Sequence, residues 1–132
     1  MPYLIDTNII SEAMRPKPNE MVRKWLNKQL PIFVSVITVE EIYYGLSYKE
    51  AIGQQQWFEK LLNNYCNILP INLEIAKECG ILRGKLRQQG IIKHQADLLI
   101  AATAKIHHLT LATRNVRDFV FCDIPIFNPF DN

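Results

Sequence analysis

Four acidic residues follow predicted strands or begin predicted helices. Asp6 comes directly after the apolar run at residues 3–5, and Asp118 follows the last long strand. Glu41 lies in the first turn of the helix after the second strand, and Asp97 opens an apolar helix. In a parallel sheet, strand ends and helix starts meet at one edge, where ligands bind. Carboxylates gathered there would repel one another unless a cation neutralised them, so the pattern predicts a site for Mg²⁺ or Mn²⁺, which prefer hard oxygen ligands.

Such a site could hydrolyse phosphodiester bonds. A bound divalent ion generates hydroxide near neutral pH, and a pair of ions stabilises both oxygens of an in-line phosphoryl displacement. Asn8, Thr113 and Asn115 flank the predicted strand ends and could donate hydrogen bonds that orient the carboxylates. The pattern is compatible with one ion or with two.

Each acid also has a purely structural interpretation. Asp is among the best N-cap residues, which suits Asp6. Thr38-x-x-Glu41 matches a capping box, in which the glutamate accepts a backbone N–H at the helix start. Asp97 precedes Leu-Leu-Ile-Ala and occupies an N-cap position, while Asp118 would be an exposed loop acid. Only the joint placement of the acids at element boundaries favours a metal site over separate caps.

Basic residues form two short clusters. The first comprises Arg83, Lys85, Arg87, Lys93 and His94, and the second comprises Arg114 and Arg117. Basic clusters can follow a phosphate backbone, and here they would hold a polyanion beside an acidic pocket that otherwise repels it. The net charge is only +2, so solvated helix faces are the competing explanation.

The hydrophobic pattern predicts strands that alternate with helices. Strands are predicted at residues 3–5, 32–37, 68–71, 109–113 and 124–127, and helices at 7–14, 20–30, 38–46, 49–65, 72–89 and from Asp97 onward. Gly45 is expected to help end the third of these helices. The alternation implies parallel pairing and a layered α/β domain.

The composition suits one compact domain. A chain of 132 residues with 48% hydrophobic residues can bury a single core, so residues 1–132 are expected to form one domain. No apolar run has the length of a membrane helix, and no secretory signal precedes the first strand. Cys66, Cys79 and Cys122 are odd in number and widely spaced, which favours a reducing, cytoplasmic compartment over a disulfide framework. No zinc-type spacing of cysteine and histidine occurs.

Four segments in this order resemble the PIN-domain family, and more narrowly its VapC-type toxins. They are Tyr-Leu-Ile-Asp-Thr-Asn, Val-Ile-Thr-Val-Glu-Glu-Ile-Tyr-Tyr-Gly, Ala-Asp-Leu-Leu-Ile-Ala-Ala-Thr-Ala and Leu-Ala-Thr-Arg-Asn-Val-Arg-Asp-Phe. The resemblance covers essentially the whole chain. It implies a three-layer α/β/α domain around a mainly parallel sheet of four or five strands. It also implies a Mg²⁺-dependent endoribonuclease from a bacterial toxin–antitoxin pair, with tRNA or rRNA as the expected target.

The resemblance carries catalytic roles onto three of the acids. Asp6, Glu41 and Asp97 would bind the metal, with Mn²⁺ as a possible substitute for Mg²⁺. The choice of Glu41 over Glu40 rests on the motif, because both glutamates point away from the apolar face of their helix.

The fourth site position is open between two residues. Asn115 and Asp118 are both expected to border the site, and Asp118 is included as a weaker or water-mediated metal ligand. Thr7, Asn8 and Thr113 would support the carboxylates through hydrogen bonds.

The resemblance also implies partners. These are an RNA substrate, a second copy of the chain and a separately encoded antitoxin; DNA would be reached only through the antitoxin complex, and no membrane partner is expected. The residues expected to contact RNA are Arg83, Lys85, Arg87, Lys93, Arg114 and Arg117. The Trp57-Phe58 stripe would contribute either to a partner surface or to the core.

Two other functions compete with the nuclease. A phospho-acceptor signalling domain also has an acidic Mg²⁺ pocket, but it needs adjacent acids early in the chain, and Asp6 has no acidic neighbour. A partner-binding PIN module without catalysis is the other alternative, and the intact set of acids argues against it.

Overall fold

The computed structural model describes residues 2–131 and contains a parallel sheet between two layers of helices. The strands are β1 (Tyr3–Ile5), β2 (Ile32–Ser35), β3 (Cys66–Leu69), β4 (Thr110–Ala112) and β5 (Ile126–Phe127). They pair in the order β3-β2-β1-β4-β5, and every pairing is parallel. The predicted layered α/β fold is confirmed.

Helices connect the strands within the same described range. They are α1 (Thr7–Ala13), α2 (Glu20–Gln29), α3 (Val36–Tyr48), α4 (Ile52–Tyr65), α5 (Leu73–Gln88) and α6 (Gln95–Ile106), with short 3₁₀ helices at Val116–Phe119 and Pro129–Asp131. Parallel strands require such crossover connections, and those connections cover both faces of the sheet.

The sheet separates two hydrophobic clusters. Leu4 and Leu111 pack with residues of α5 and α6 on one face. Ile5, Val34 and Ala112 pack with residues of α1 to α4 on the other. Because side chains alternate along a strand, the continuous apolar runs serve both faces at once. This double burial explains why the strands lack a polar/apolar alternation in sequence.

The pairing of β1 with β4 aligns the ends of two central strands. Ile5 lies opposite Ala112, and the Asp6 backbone N–H donates to the carbonyl of Ala112 at 3.0 Å. The residues that follow the two strands, Asp6 and Thr113, are therefore neighbours at one edge of the sheet. This register is what positions the candidate site.

The predicted boundary between the second strand and its helix was wrong. The strand ends at Ser35, and Val36 and Ile37 already belong to α3, although their β-branched side chains favour strands. The Ser35 hydroxyl accepts the Ile37 N–H at 3.1 Å, so this cap starts the helix at Val36, two residues earlier than predicted. Thr38 consequently lies inside the helix and forms no capping box with Glu41. Gly45 lies within α3 and does not end it.

Three other predicted boundaries also differ from those in the structure. Helix α6 begins at Gln95 with His94 as its cap residue, so Asp97 lies in the first turn and is not the N-cap. The edge strand β3 is Cys66–Leu69, because Pro70 cannot donate to the ladder and ends the pairing. Helix α4 begins at Ile52, later than the predicted Lys49.

The three cysteines are free thiols. Burial raises the pKa of Cys66 to about 11, and burial is also the main cause that raises the pKa of Cys79 and Cys122. At neutral pH they are therefore protonated packing residues. Separately, no helix between residues 2 and 131 has both the length and the hydropathy that crossing a membrane requires.

Candidate active site

Asp6 combines two tasks at the start of α1. One carboxylate oxygen accepts the Thr7 backbone N–H at 2.8 Å, which is the predicted helix cap. The other oxygen accepts hydrogen bonds from the Thr113 hydroxyl at 2.8 Å and from the Asn8 side-chain amide at 3.1 Å. The side chain is thus fixed from three sides, in an orientation set by the aligned ends of β1 and β4.

Asn8 joins the segments that follow β1 and β4. Its amide nitrogen also lies within hydrogen-bond distance of the Thr113 hydroxyl, at 3.3 Å, and its carbonyl oxygen accepts the Arg114 backbone N–H at 3.0 Å. The Asn115 backbone N–H donates to the Thr113 hydroxyl at 3.0 Å. The predicted supporting residues Asn8 and Thr113 therefore contact Asp6 directly. Asn115 takes part through its backbone.

Glu41 is held by a hydrogen bond from Thr7, the first residue of α1. The Thr7 hydroxyl donates to a Glu41 carboxylate oxygen at 2.7 Å, and it lies 3.4 Å from the Thr38 hydroxyl. Thr38 is fully buried, so its hydroxyl supports Thr7 from behind. Glu40, the neighbouring glutamate, is exposed to solvent. The structure therefore separates the two glutamates that the helical pattern alone left equivalent.

Asp6 is a strongly perturbed acid. Its pKa is raised from 3.8 to about 6, mainly by burial and to a smaller extent by the charges of Asp97 and Glu41. The hydrogen bonds from Thr113 and Thr7 act in the opposite direction. The charges of these three acids act on one another, so the carboxylates lie close enough together for a single cation to affect all three.

Asp97 is also affected by a neighbouring acid, Asp118. Burial is the main cause that raises the pKa of Asp97, followed by the charges of Asp118 and Glu41. The charges of His94 and Lys93 lower it. The Lys93 ammonium also lies 3.9 Å from an Asp118 carboxylate oxygen. Asp118 is half exposed, so it borders the pocket at its solvent side.

The donor set suits a hard divalent cation. Asp6 carries a charge that burial disfavours, and Glu41 and Asp97 add further carboxylate oxygens facing the same region. A divalent ion would remove this repulsion, and oxygen ligands are the ones that Mg²⁺ and Mn²⁺ prefer. Among residues 2–131, however, no three acidic, histidine or cysteine side chains already form a closed ligand cage. The residues fit the ion by their chemistry, and the exact coordination is not preformed.

The predicted basic residues divide among several surfaces. Arg83, Arg87 and Lys93 line one groove of about 540 Å³ with Ile91 and Ile92. Lys93 connects this groove to Asp118 through their ion pair. We call it the α5 groove.

The remaining basic residues lie elsewhere. Arg114 and Arg117 line a pocket with Asn115 and Asp118, and the Arg114 guanidinium lies 4.5 Å from the centre of the Phe130 ring. Lys85, in contrast, lines a different pocket that includes Lys105 and no member of the four acids, so the structure does not bring it together with the others.

The sequence analysis missed the contacts that two residues make at the candidate site. Thr38 was interpreted as a cap, although its pairing with Thr7 places it behind Glu41. Lys93 was assigned only to RNA, although it also balances Asp118. Both contacts join segments far apart along the chain, and no local pattern signals them.

Comparison with known proteins identifies the class of domain. A model of the PIN domain matches residues 3–125. The chain belongs to the PIN-domain family. This membership excludes the phospho-acceptor alternative, because such signalling domains belong to a different family.

Within that family the relatives are toxins of the VapC type. The chain is 36% identical to toxin FitB of Neisseria gonorrhoeae, covering 96% of this chain and 97% of FitB. It is 29% identical to VapC ribonuclease Y4jK of Sinorhizobium fredii, with 97% of each chain covered.

Solved structures agree in fold. The crystal structure of FitAcB from N. gonorrhoeae matches with a TM-score of 0.86 at 34% identity, covering 98% of this chain and 99% of the other. VapBC2 from Rickettsia felis, bound to a promoter DNA fragment, matches with a TM-score of 0.85 at 29% identity, covering 97% and 98%. The fold is therefore that of VapBC toxins over nearly its whole length.

Proposed function

We propose that this chain is a Mg²⁺-dependent endoribonuclease and the toxin of a bacterial toxin–antitoxin pair. The observation that carries the proposal is the closeness of Asp6, Glu41 and Asp97. Their charges act on one another, and Thr7 and Thr113, which follow β1 and β4, hold Glu41 and Asp6 by hydrogen bonds. The names of relatives, a VapC ribonuclease and toxin FitB, support the same activity. Mn²⁺ has similar ligand preferences and is expected to substitute.

The acids are proposed to bind the metal ion, and the threonines are proposed to orient the acids. Asp6, Glu41 and Asp97 would hold the divalent ion, and Asp118 would be a weaker or water-mediated ligand at the solvent side. When bound, the ion supplies Lewis acidity, which both activates the attacking water and neutralises charge on the phosphate. The chain's own part is orientation: Thr113 fixes Asp6 and Thr7 fixes Glu41, both through hydrogen bonds shorter than 3 Å.

The basic surfaces are proposed to hold the RNA backbone. Arg83, Arg87 and Lys93 of the α5 groove, with Arg114 and Arg117 beyond Asp118, would neutralise phosphates on the way to the acids. Specific RNA recognition usually targets unpaired loops, whose bases can be splayed out. Loops of tRNA or rRNA are therefore the substrates we propose.

Partners follow from the related structures. FitAB and VapBC2 of Rickettsia felis were both solved bound to a DNA fragment, so we propose a cognate antitoxin through which this chain reaches DNA. A homodimer is proposed as well. Phe58 is fully buried, but Trp57 is 40% exposed, so the tryptophan is free to contribute to a partner surface.

We also propose a cytoplasmic location and a single functional domain. Three free, buried or half-buried thiols suit a reducing compartment, where disulfides rarely persist. The sheet draws strands from residue 3 to residue 127, so no part of the described chain is left for a separate unit.

Two adjacent glutamates provide the decisive test. Glu41→Gln removes one pocket carboxylate without changing size, whereas Glu40→Gln alters an exposed neighbour on the same helix. On structured RNA with Mg²⁺, we expect Glu41→Gln to lose at least about 100-fold in cleavage rate, the scale of removing one transition-state contact, and Glu40→Gln to match the parent.

The outcomes separate the alternatives. Equal cleavage by the parent and a folded Glu41→Gln variant would refute the assignment of the site. A parent that binds RNA and antitoxin but never cleaves, with or without Mg²⁺ or Mn²⁺, would establish the silent PIN module in place of the nuclease.

A further inference from the structure

Two fully buried threonines, Thr38 on α3 and Thr103 on α6, use their hydroxyl groups in different ways. The Thr103 hydroxyl donates to the backbone carbonyl of Leu99, one turn earlier in its own helix, at 2.7 Å. This is the ordinary partner of a threonine inside a helix. The Thr38 hydroxyl lies 3.4 Å from the hydroxyl of Thr7, which belongs to α1. A buried polar group of α3 is therefore directed across to another helix, at the edge of the candidate site.

The hydrogen atoms of the Thr7 and Thr38 hydroxyls follow from their partners. Thr7 has a single hydroxyl proton, and the Glu41 carboxylate oxygen that lies 2.7 Å away can only accept when it is ionised. The Thr7 proton therefore goes to Glu41, so Thr7 meets Thr38 as an acceptor. Because a hydrogen bond between two hydroxyls needs one donor, Thr38 must supply it. The result is a directed chain of hydrogen bonds from Thr38 through Thr7 to Glu41.

The same arrangement occurs at Asp6. The buried Thr113 hydroxyl donates to an Asp6 carboxylate oxygen at 2.8 Å and accepts the Asn115 backbone N–H at 3.0 Å. A hydroxyl that already accepts a hydrogen bond is restrained from turning its proton away, and hydrogen bonds in such a chain strengthen one another. At Asp6 the outer donor is a backbone group. At Glu41 it is the side chain of Thr38, which a substitution can remove.

We propose that Thr38 is a positioning residue for Glu41, and through it for the divalent ion, and that it acts by way of Thr7. This inference rests on the proposed metal-dependent function and extends it to a residue one step further from the acids. Without the Thr38 hydroxyl, Thr7 keeps its place but its proton is free to rotate away from Glu41. The carboxylate then loses a fixed donor, so its orientation toward a cation is less well defined.

The first test compares side chains at position 38. Thr38→Val removes the hydroxyl and keeps the branched shape, whereas Thr38→Ser keeps the hydroxyl. The measurement is Mg²⁺ affinity by titration calorimetry in the absence of RNA. We expect Thr38→Val to bind Mg²⁺ about three- to tenfold more weakly, the scale of one neutral hydrogen bond, and Thr38→Ser to bind it like the parent. Thr38→Ala is a second variant without the hydroxyl and should show the same loss.

Thr103→Val is the matched control. It also removes the hydroxyl of a fully buried helical threonine, but one that donates to the carbonyl of Leu99. We expect it to keep the parental Mg²⁺ affinity. Equal losses in Thr103→Val and Thr38→Val would overturn the proposal, because the effect would then come from a general loosening of the core. A Thr38→Ser protein as weak as Thr38→Val would also overturn it, since packing of the methyl group would then explain the loss.

The second test asks whether Thr38 acts through Thr7. Thr7→Val removes the donor to Glu41, so the chain has nothing left to transmit. The double variant with Thr38→Val should therefore bind Mg²⁺ as weakly as Thr7→Val alone. Two losses that multiply in the double variant would mean that the residues act independently, and would overturn the chain. The Mg²⁺ concentration for half-maximal RNA cleavage should follow the same order.

The failure of this inference differs from the failure of the proposed function. Parental Mg²⁺ affinity in folded Thr38→Val, with weakened binding in Glu41→Gln, would overturn the role of Thr38 and leave the metal site in place. A parent that binds no Mg²⁺ in the calorimeter would refute the metal-dependent function and, with it, any positioning role for Thr38.

Discussion

Asp6 illustrates how one side chain serves both folding and chemistry. The structural and the functional interpretations of this residue were alternatives in the sequence, yet the two carboxylate oxygens divide the tasks between them. One oxygen caps α1 through the Thr7 N–H, and the other faces Thr113 and Asn8 in the pocket. A helix cap therefore does not argue against a metal ligand, because a carboxylate has lone pairs enough for both.

The raised pKa of Asp6 predicts how pH acts on the metal-free protein. Its pKa is about 6 in the folded state against an ordinary 3.8, so the folded state binds the proton more tightly than the unfolded state. Ionisation costs no folding stability below pH 3.8, costs progressively more as pH rises toward 6, and above that lowers stability by at most about 3 kcal/mol. Urea unfolding of Asp6→Asn should lack this contribution between the two pH values; an unchanged pH profile would contradict the assignment.

The same pKa predicts the pH dependence of metal binding. Mg²⁺ must compete with the proton on Asp6, so its stabilising effect should be full above the pKa of about 6 and disappear as pH falls through it. The measurement is the rise in melting temperature with added Mg²⁺ across this range. Asp6→Asn should show little rise at any pH. A Mg²⁺ effect that persists well below the pKa would exclude Asp6 as a ligand.

Thr7 is expected to act through Glu41. Thr7→Val keeps the shape of the side chain but removes the hydroxyl that donates to Glu41 at 2.7 Å. Loss of such an orienting contact typically costs about 10–100-fold in metal affinity or activity. We expect Thr7→Val to require more Mg²⁺ for half-maximal cleavage, with KM for RNA little changed. Thr7→Ser should restore the parental metal requirement; equal Mg²⁺ dependence of all three proteins would rule the role out.

At the scale of elements, the start of α3 decides where Glu41 points. Because Ser35 caps the helix, Thr38 and Glu41 lie one turn apart on the side that meets Thr7. The β-branched run predicted a helix that begins at Thr38. In such a helix the Glu41 carboxylate would accept the backbone N–H of Thr38, as in a capping box. With the helix started at Ser35, the Glu41 carboxylate accepts the Thr7 hydroxyl and does not cap its own helix.

The Ser35 cap is expected to make a measurable contribution to the stability of the protein. Ser35→Ala removes the acceptor for the Ile37 N–H, and loss of an N-cap typically costs about 1 kcal/mol. Urea unfolding should show that loss with an unchanged slope, while Ser47→Ala, at an exposed serine of the same helix, should not lower stability. Unfolding of Ser35→Ala at the parental midpoint would mean that another residue starts the helix.

At the scale of the whole molecule, positive charge is distributed around the acids and is not concentrated in one patch. The net charge of +2 conceals this arrangement, since acids and bases lie at adjoining surfaces. Such alternation lets basic grooves hold a phosphate backbone while the acidic pocket holds a cation.

The α5 groove should contribute to RNA binding through charge alone. Arg83→Gln combined with Arg87→Gln removes two cations, so the slope of log affinity against log salt should fall by about 1.4 for single-stranded RNA. The loss should be similar for different RNA sequences. Lys28→Gln, an exposed lysine on α2, serves as the control. An unchanged slope in the double variant would place the RNA elsewhere.

The sequence by itself determined the parallel α/β fold, because buried parallel strands read as apolar runs that end at polar residues. It determined the family through the resemblance of four segments, which also singled out Asp6, Glu41 and Asp97 as candidate metal ligands. It left Glu41 and Glu40 equivalent on a helical wheel, and it started α3 at Thr38. It also did not reveal the pairing of Lys93 with Asp118 or the contact of Thr38 with Thr7. Those features depend on contacts between segments far apart along the chain. Only packing across the sheet brings such segments together, so only the tertiary structure decided them.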